Sequence, residues 1–186
     1  MDTTLTQDHL FWITSRAAGT AALLFSSLAV GLGLAMVLKL KVFKGKAVDL
    51  RISHEALSIA TIVAIVIHAV TLLGDKFMKF GVADIALPFA SGYKEPWMSI
   101  GIIAGWALII LGLSYYARRR IGAQRWRKLH RFTSLAWIAG IAHSLGEGTD
   151  AGLTWFVVCM GVAALPAATL LLMRVAPAQP AKAVAR

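Results

Sequence analysis

The stretch HEALSIATIVAIVIHA, residues 54–69, reads as membrane helix and yet carries a histidine near each end. Hydrocarbon offers an imidazole no partner, and polar groups within a bilayer are costly and turn toward a bundle interior. His54 and His68 stand fourteen residues apart, so their meaning depends on whether a second helix carries a matching pair.

The rest of the chain is of the same kind. Hydrophobic residues fill 58% of its 186 positions and charged residues only 15%, and mean hydropathy is +0.71. A soluble domain of this length carries more charge and shorter apolar runs. Crossing hydrocarbon takes about 20 apolar residues. Five segments qualify, roughly Phe11 to Leu38, Ile52 to Leu73, Trp97 to Ala117, Leu129 to Leu145 and Leu153 to Met173. The fourth is short because it starts beside the charged run ending at Arg131, and it spans by letting those basic side chains snorkel. Backbone polar groups in lipid must be bonded internally, so the segments are helices. The expected fold is all-α, an integral membrane bundle of about five transmembrane helices in one domain over residues 10–174.

Loop charges set the orientation. Fifteen of the nineteen basic residues lie between the first two segments, between the third and fourth, and past the fifth. Seven of the nine acids lie on the other side. The positive-inside rule predicts the N-terminus outside and the C-terminus in the cytoplasm, as a multi-pass protein of the cell membrane, here a bacterial cytoplasmic membrane. Residues 1–9 are then an external segment, 75–96 a loop capping the outer face with Trp97 as an interface anchor, and 175–186 a disordered cytoplasmic tail. No basic region precedes the first apolar stretch, so that stretch is expected to remain as a helix rather than be cleaved. The net charge of +10 belongs to short loops facing anionic headgroups and not to a nucleic-acid surface. Cys159 is the only cysteine, which excludes an intrachain disulfide or a CxxC pair. It is expected to be a small apolar core residue.

The matching pair is in LHRFTSLAWIAGIAHS, residues 129–144, where His130 and His143 stand thirteen apart. The second and fourth segments run the same way, so His54 and His130 share an inner depth and His68 and His143 an outer one. At 1.5 Å per residue the two levels are about 20 Å apart. His9, before the first segment, is expected to be exposed. Two imidazoles facing across a gap suit the axial positions of a haem iron, with the second ring N–H given to an acceptor such as a backbone carbonyl one turn away. A zinc site is the competing use of such a cluster, but two levels so far apart do not make one tetrahedral site. The spacing raises a difficulty. Fourteen residues return within about 40° on a regular helix, whereas thirteen miss by about 140°. Tilt, a bulge near Gly140 or two differently oriented cofactors would reconcile it.

These paired histidines, together with RRRIGAQRWRKLHRFTSLAWIAGIAHSLGEGTD (residues 118–150) and DIALPFASGYKEPW (residues 84–97), resemble the ferric reductase-like transmembrane domain. That superfamily includes ferric reductases, NADPH oxidases and the haem-binding membrane subunit of periplasmic methionine sulfoxide reductase. The resemblance covers about residues 10–174. It implies two haem b groups, the inner held by His54 and His130 and the outer by His68 and His143, carrying electrons between the membrane faces. Larger relatives have six helices and a cytoplasmic flavin and NADPH domain, and neither the sixth helix nor that domain is found here. The chain is then an oxidoreductase component needing a separate donor, a flavoprotein or a quinol. The outer acceptor is a ferric chelate, oxygen, a quinone or a periplasmic reductase. Arg16 is the candidate for an outer propionate, and Arg127, Arg131, Lys128 and Arg51 for inner ones. Trp126 and Trp137 are candidates to pack near a porphyrin. Gly31, Gly33, Gly101 and Gly105 are read as sites of close helix approach. A haem-binding structural or sensory subunit without net electron transfer is the alternative. A solute or metal-ion transporter is disfavoured by the lack of repeats or broken segments.

Overall fold

The computed structural model describes residues 3–176, with side chains from residue 9 onward, and all regular structure among them is helical. Helix α1 (Thr3–Leu38) leads through a 3-10 turn at Lys41–Phe43 into α2 (Ala47–Leu72). The loop at the end that the charge distribution marks as outer holds the short α3 (Val82–Ala86), and α4 (Glu95–Leu113) returns across the bundle. Then come α5 (Arg118–Ile121), α6 (Ala123–His130), α7 (Thr133–Glu147) and α8 (Thr154–Val175). Four stretches are long and apolar enough to cross a bilayer: His9–Leu38, Ala47–Leu72, Glu95–Leu113 and Thr154–Val175. The chain is a multi-pass membrane protein. Within the segment 1–9 expected outside the membrane, the chain is already helical from Thr3, the start of α1. The tail expected over 175–186 lies, past Ala176, outside the described residues.

The fifth apolar segment is built differently. α7 has 15 residues, about 22 Å of helix against about 30 Å of hydrocarbon. It does not run back through the charged stretch. The chain leaves helix after His130, turns at Arg131 and Phe132, and restarts at Thr133. There Phe132 N–H reaches Leu129 O (3.0 Å) and Ser134 N–H reaches Arg131 O (3.3 Å), bonds one residue tighter than those of an α-helix. Thr133 Oγ1 donates to His130 O at 2.7 Å and satisfies the carbonyl at the break. Gly140 lies inside regular α7. α5 and α6 are separated at Gly122, whose φ of +87° suits a residue without Cβ.

α1 is the hub of the bundle. It packs along α2 and α8 and touches α7, while α7 packs chiefly on α4. At the centre Trp137 is 2% exposed, and its indole N–H donates to Ser27 Oγ at 2.9 Å. Ser27 Oγ in turn donates to Leu23 O at 2.7 Å, so no polar group of this pair is orphaned. Val30, Leu34 and Ala167 surround the indole. Trp137 is therefore a core residue of the α1–α7–α8 contact. The inward residues of α8 are Phe156, Met160, Ala163 and Ala167, one helical face. Cys159 falls off that face and is exposed, so the expectation of a core cysteine is corrected.

The outer loop folds back onto α4. Trp106 Nε1 donates to Ala86 O (2.9 Å) and Phe89 N–H to Ser99 Oγ (2.8 Å). Asp84 accepts the Gly81 N–H at 2.8 Å and caps α3. This anchoring fixes the start of α4, and with it the backbone of Trp97.

Candidate functional site

α2 rests mainly on α1, and α7 mainly on α4. The space between the two is bridged by imidazoles. His54 faces His130 with ring centres 6.2 Å apart and planes at 80°. His68 faces His143 at 6.4 Å and 73°. Inner thus meets inner and outer meets outer, as co-directional α2 and α6–α7 require. The thirteen-residue spacing is accommodated by the turn at Arg131–Phe132. His130 ends α6, His143 sits on α7, and no single regular helix carries both.

Three of the four rings are fixed at Nδ1 by a backbone carbonyl. His54 Nδ1 is 2.8 Å from Ala29 O, His68 Nδ1 is 2.8 Å from Ser15 O, and His143 Nδ1 is 2.9 Å from Trp97 O. A carbonyl only accepts, so each Nδ1 carries the proton and each Nε2 the lone pair. The acceptors are not one turn away on the same helix, as expected, but on α1 and α4. A helix's own carbonyls point along its axis, whereas a neighbouring helix can present one sideways. Ser15 adds a second tie, its Oγ lying 3.1 Å from both His68 Nδ1 and His68 O.

His130 is the exception. Its Nδ1 is buried and faces the Leu111 carbonyl without closing a hydrogen bond to it. That carbonyl accepts Ser114 Oγ at 2.6 Å. The ring is instead stacked on Trp126, 4.9 Å centre to centre and 26° between planes. Trp126 is held by its own N–H to Ser114 Oγ at 3.1 Å. Of the two tryptophans read from sequence, Trp126 is thus the one beside a histidine.

Beside the inner pair lies a cavity of about 610 Å³ lined by His54, His130, Trp126 and Ser58. Arg51, Arg127 and Arg131 line it, as do Arg118 and Arg174, which the sequence reading left as topology charges. None of these five is in an ion pair with an acidic side chain among the described residues. Lys128 is exposed and is not among the lining residues. Glu55 also lines the cavity and accepts the Tyr116 hydroxyl at 2.8 Å.

The outer end is closed by ion pairs. Arg16 engages Asp150 through Nη2 and, at 3.2 Å, through Nε, and its guanidinium lies 4.0 Å over the Trp12 ring. Lys94 lies 3.8 Å from Glu147 and donates to Gly146 O at 3.1 Å. The Arg16 charge is therefore matched by a carboxylate of this chain, which the sequence reading did not anticipate. His9 is exposed.

The donor set fits a haem iron. Two imidazoles bound through Nε2 to one metal, each at about 2.0 Å, put their ring centres roughly 6 Å apart. Both observed pairs have that separation. Among the described residues no three His, Cys, Asp or Glu side chains gather to hold a bare metal ion. Two-imidazole sites need a macrocycle to complete the metal's coordination, and a cationic cavity mouth suits its carboxylates.

No curated protein and no solved structure matches the chain. A family match extends from Ser15 to Ile141, taking in three of the four histidines and both carbonyl-bearing helices, and stopping two residues before His143. The family is described as ferric reductase like transmembrane component. Domains of this kind in general bind haem and move electrons within membranes. With well over half its length matched, the chain belongs to the ferric reductase-like transmembrane family and is a membrane electron-transfer component.

Proposed function

We propose that the chain is a transmembrane di-haem b-type cytochrome that carries electrons from a cytoplasmic or membrane donor to an acceptor on the outer face. The observation that carries this reading is the pair of facing imidazoles at each of two depths, with three of the four rings held as the Nδ1–H tautomer. Haem bound at each level supplies a one-electron iron couple. His54 and His130 would hold the inner iron, and His68 and His143 the outer. The carbonyls of Ala29, Ser15 and Trp97 orient three of these ligands and raise their basicity. Arg127 and Arg131, with Arg51, Arg118 and Arg174, would neutralise the inner propionates. At the outer level Arg16 is already fixed by Asp150, and a propionate bound there would have to share it.

Two levels about 20 Å apart divide the crossing into shorter intervals. With the N-terminus outside, a negative interior favours outward electron flow by about 2.3 kcal/mol per 100 mV. The donor is a flavoprotein or a quinol, and the basic inner loops give an acidic donor a docking surface. The acceptor is a ferric chelate, oxygen, a quinone or a periplasmic reductase.

Reoxidation tests the reading. Haem-loaded protein in liposomes, reduced with dithionite and freed of reductant, is expected to be reoxidised by external ferric citrate, oxygen or a water-soluble quinone. Protein that holds haem but is reoxidised by none of them is a structural or sensory subunit, and the electron-transfer reading fails.

A further inference from the structure

The three carbonyls that seat imidazoles share a feature. Each lies four residues before a glycine: Ser15 before Gly19, Ala29 before Gly33, Trp97 before Gly101. In an α-helix the carbonyl of residue i points at the N–H of residue i+4, so the side chain at i+4 stands beside it. A carbonyl has a second lone pair, and a glycine at i+4 leaves it open from the side. A Cβ at Gly19 would lie 3.0 Å from His68 Nδ1, and one at Gly33 would lie 3.2 Å from His54 Cε1. One at Gly101 would overlap the His143 ring outright.

The fourth position completes the comparison. Ser15 and Ala29 are fourteen residues apart on α1, and Trp97 and Leu111 are fourteen apart on α4, the same interval as His54 to His68. Four residues after Leu111 stands Tyr115, past the end of α4 and with its N–H on Gly112 O at 3.2 Å; His130, which faces Leu111, is the one of the four paired histidines whose Nδ1 closes no hydrogen bond. At three positions the helix runs on, the glycine is present and the ring is seated; at the fourth α4 has already ended, no glycine follows, and the ring is stacked on Trp126 instead.

We infer that Gly19, Gly33 and Gly101 are positioning residues: each opens a notch in which one imidazole docks on the carbonyl four residues earlier, fixing that ligand's rotation. This inference rests on the di-haem reading. It assigns Gly33 to the inner level and Gly19 and Gly101 to the outer. Gly31 and Gly105 meet only ordinary contacts, with Ala167 and Ile65, and have no such role.

Low-spin ferric haem with two imidazoles gives an electron paramagnetic resonance signal whose anisotropy follows the angle between the rings. Here the planes cross at 80° and 73°. The experiment records these signals, with haem per protein, for wild type and for Gly19→Ala, Gly33→Ala, Gly101→Ala and Gly140→Ala. The His54→Ala and His68→Ala variants assign each signal to a level. Gly33→Ala, the mildest clash, is expected to keep two haems and shift the largest g value of the inner signal alone. Gly19→Ala is expected to shift the outer signal alone, and Gly101→Ala to lose it, lowering haem from two toward one. Gly140→Ala, with open space at its Cβ position, is expected to change nothing. Two haems with unchanged signals in all three test variants overturn the inference and leave the di-haem reading standing. A shift of both signals in each variant, as from general loosening, overturns it too. Wild-type protein without haem overturns the di-haem reading and the inference with it.

Discussion

The two ends of the bundle hold similar imidazole pairs in unlike surroundings. At the outer end both rings sit on carbonyls, and ion pairs at Arg16–Asp150 and Lys94–Glu147 tie the loops over them. At the inner end one ring lacks its carbonyl bond, a chain break follows it, and five arginines line an open cavity. Ring separation is nearly the same, 6.2 Å against 6.4 Å, so the ends differ in what supports the imidazoles and not in how the imidazoles face each other. Paired charge is concentrated at the outer end. Uncompensated positive charge is concentrated where a cofactor's carboxylates and an acidic donor would approach.

The largest expected effect comes from removing a ligand. His68→Ala or His143→Ala is expected to halve bound haem, from two per chain to one, and to abolish reoxidation by an external ferric chelate while the inner level stays loaded. Loss of both haems from either substitution would break the comparison by making the ends interdependent. Pyridine haemochrome assay against protein concentration reads this directly.

Next comes the stack that replaces the missing carbonyl. Aromatic pairs contribute about 0.5–1.5 kcal/mol, so Trp126→Leu is expected to speed transfer of inner haem to an apoprotein acceptor roughly 2- to 10-fold. The outer haem is expected to leave at the wild-type rate. Equal acceleration at both levels would show that the inner end is not the softer one.

At the outer end Asp150→Asn removes the partner of a partly buried Arg16. Thermal unfolding in detergent is expected to show a loss of about 1–2 kcal/mol, discounted for the exposure of the guanidinium. The inner optical and paramagnetic signals are expected to be unmoved. The smallest effect is at the cavity mouth. Arg127→Gln and Arg131→Gln are each expected to weaken inner haem retention by at most about fivefold, less at high salt, because exposed charges are screened.

The four long helices were legible because an unbroken apolar run of bilayer length admits little else. The fifth was legible only as a short segment. Its interruption at Arg131–Phe132 involves neither proline nor glycine, and Gly140, the residue that looked suspect, is in regular helix. The break comes instead from 3-10 bonds and from Thr133 satisfying the His130 carbonyl, which no hydropathy pattern records. Pairing of the histidines by depth followed from spacing and direction. Their acceptors did not, since Ser15, Ala29 and Trp97 act through backbone atoms that any residue would supply. A signal was nonetheless present, because Gly19 and Gly33 repeat the fourteen-residue interval of His54 and His68. Arg118 and Arg174 come to the inner cavity through the turn after α4 and the end of α8, which only the packed bundle brings together. The Arg16–Asp150 pair joins residues 134 positions apart and was likewise invisible.

The most direct measurement is the haem content of wild-type protein produced with ample haem supply, read together with its optical spectrum. Two haems per chain with low-spin bands of bis-imidazole iron are the expected result. Colourless protein, or one haem per chain with either histidine pair dispensable, would contradict the account.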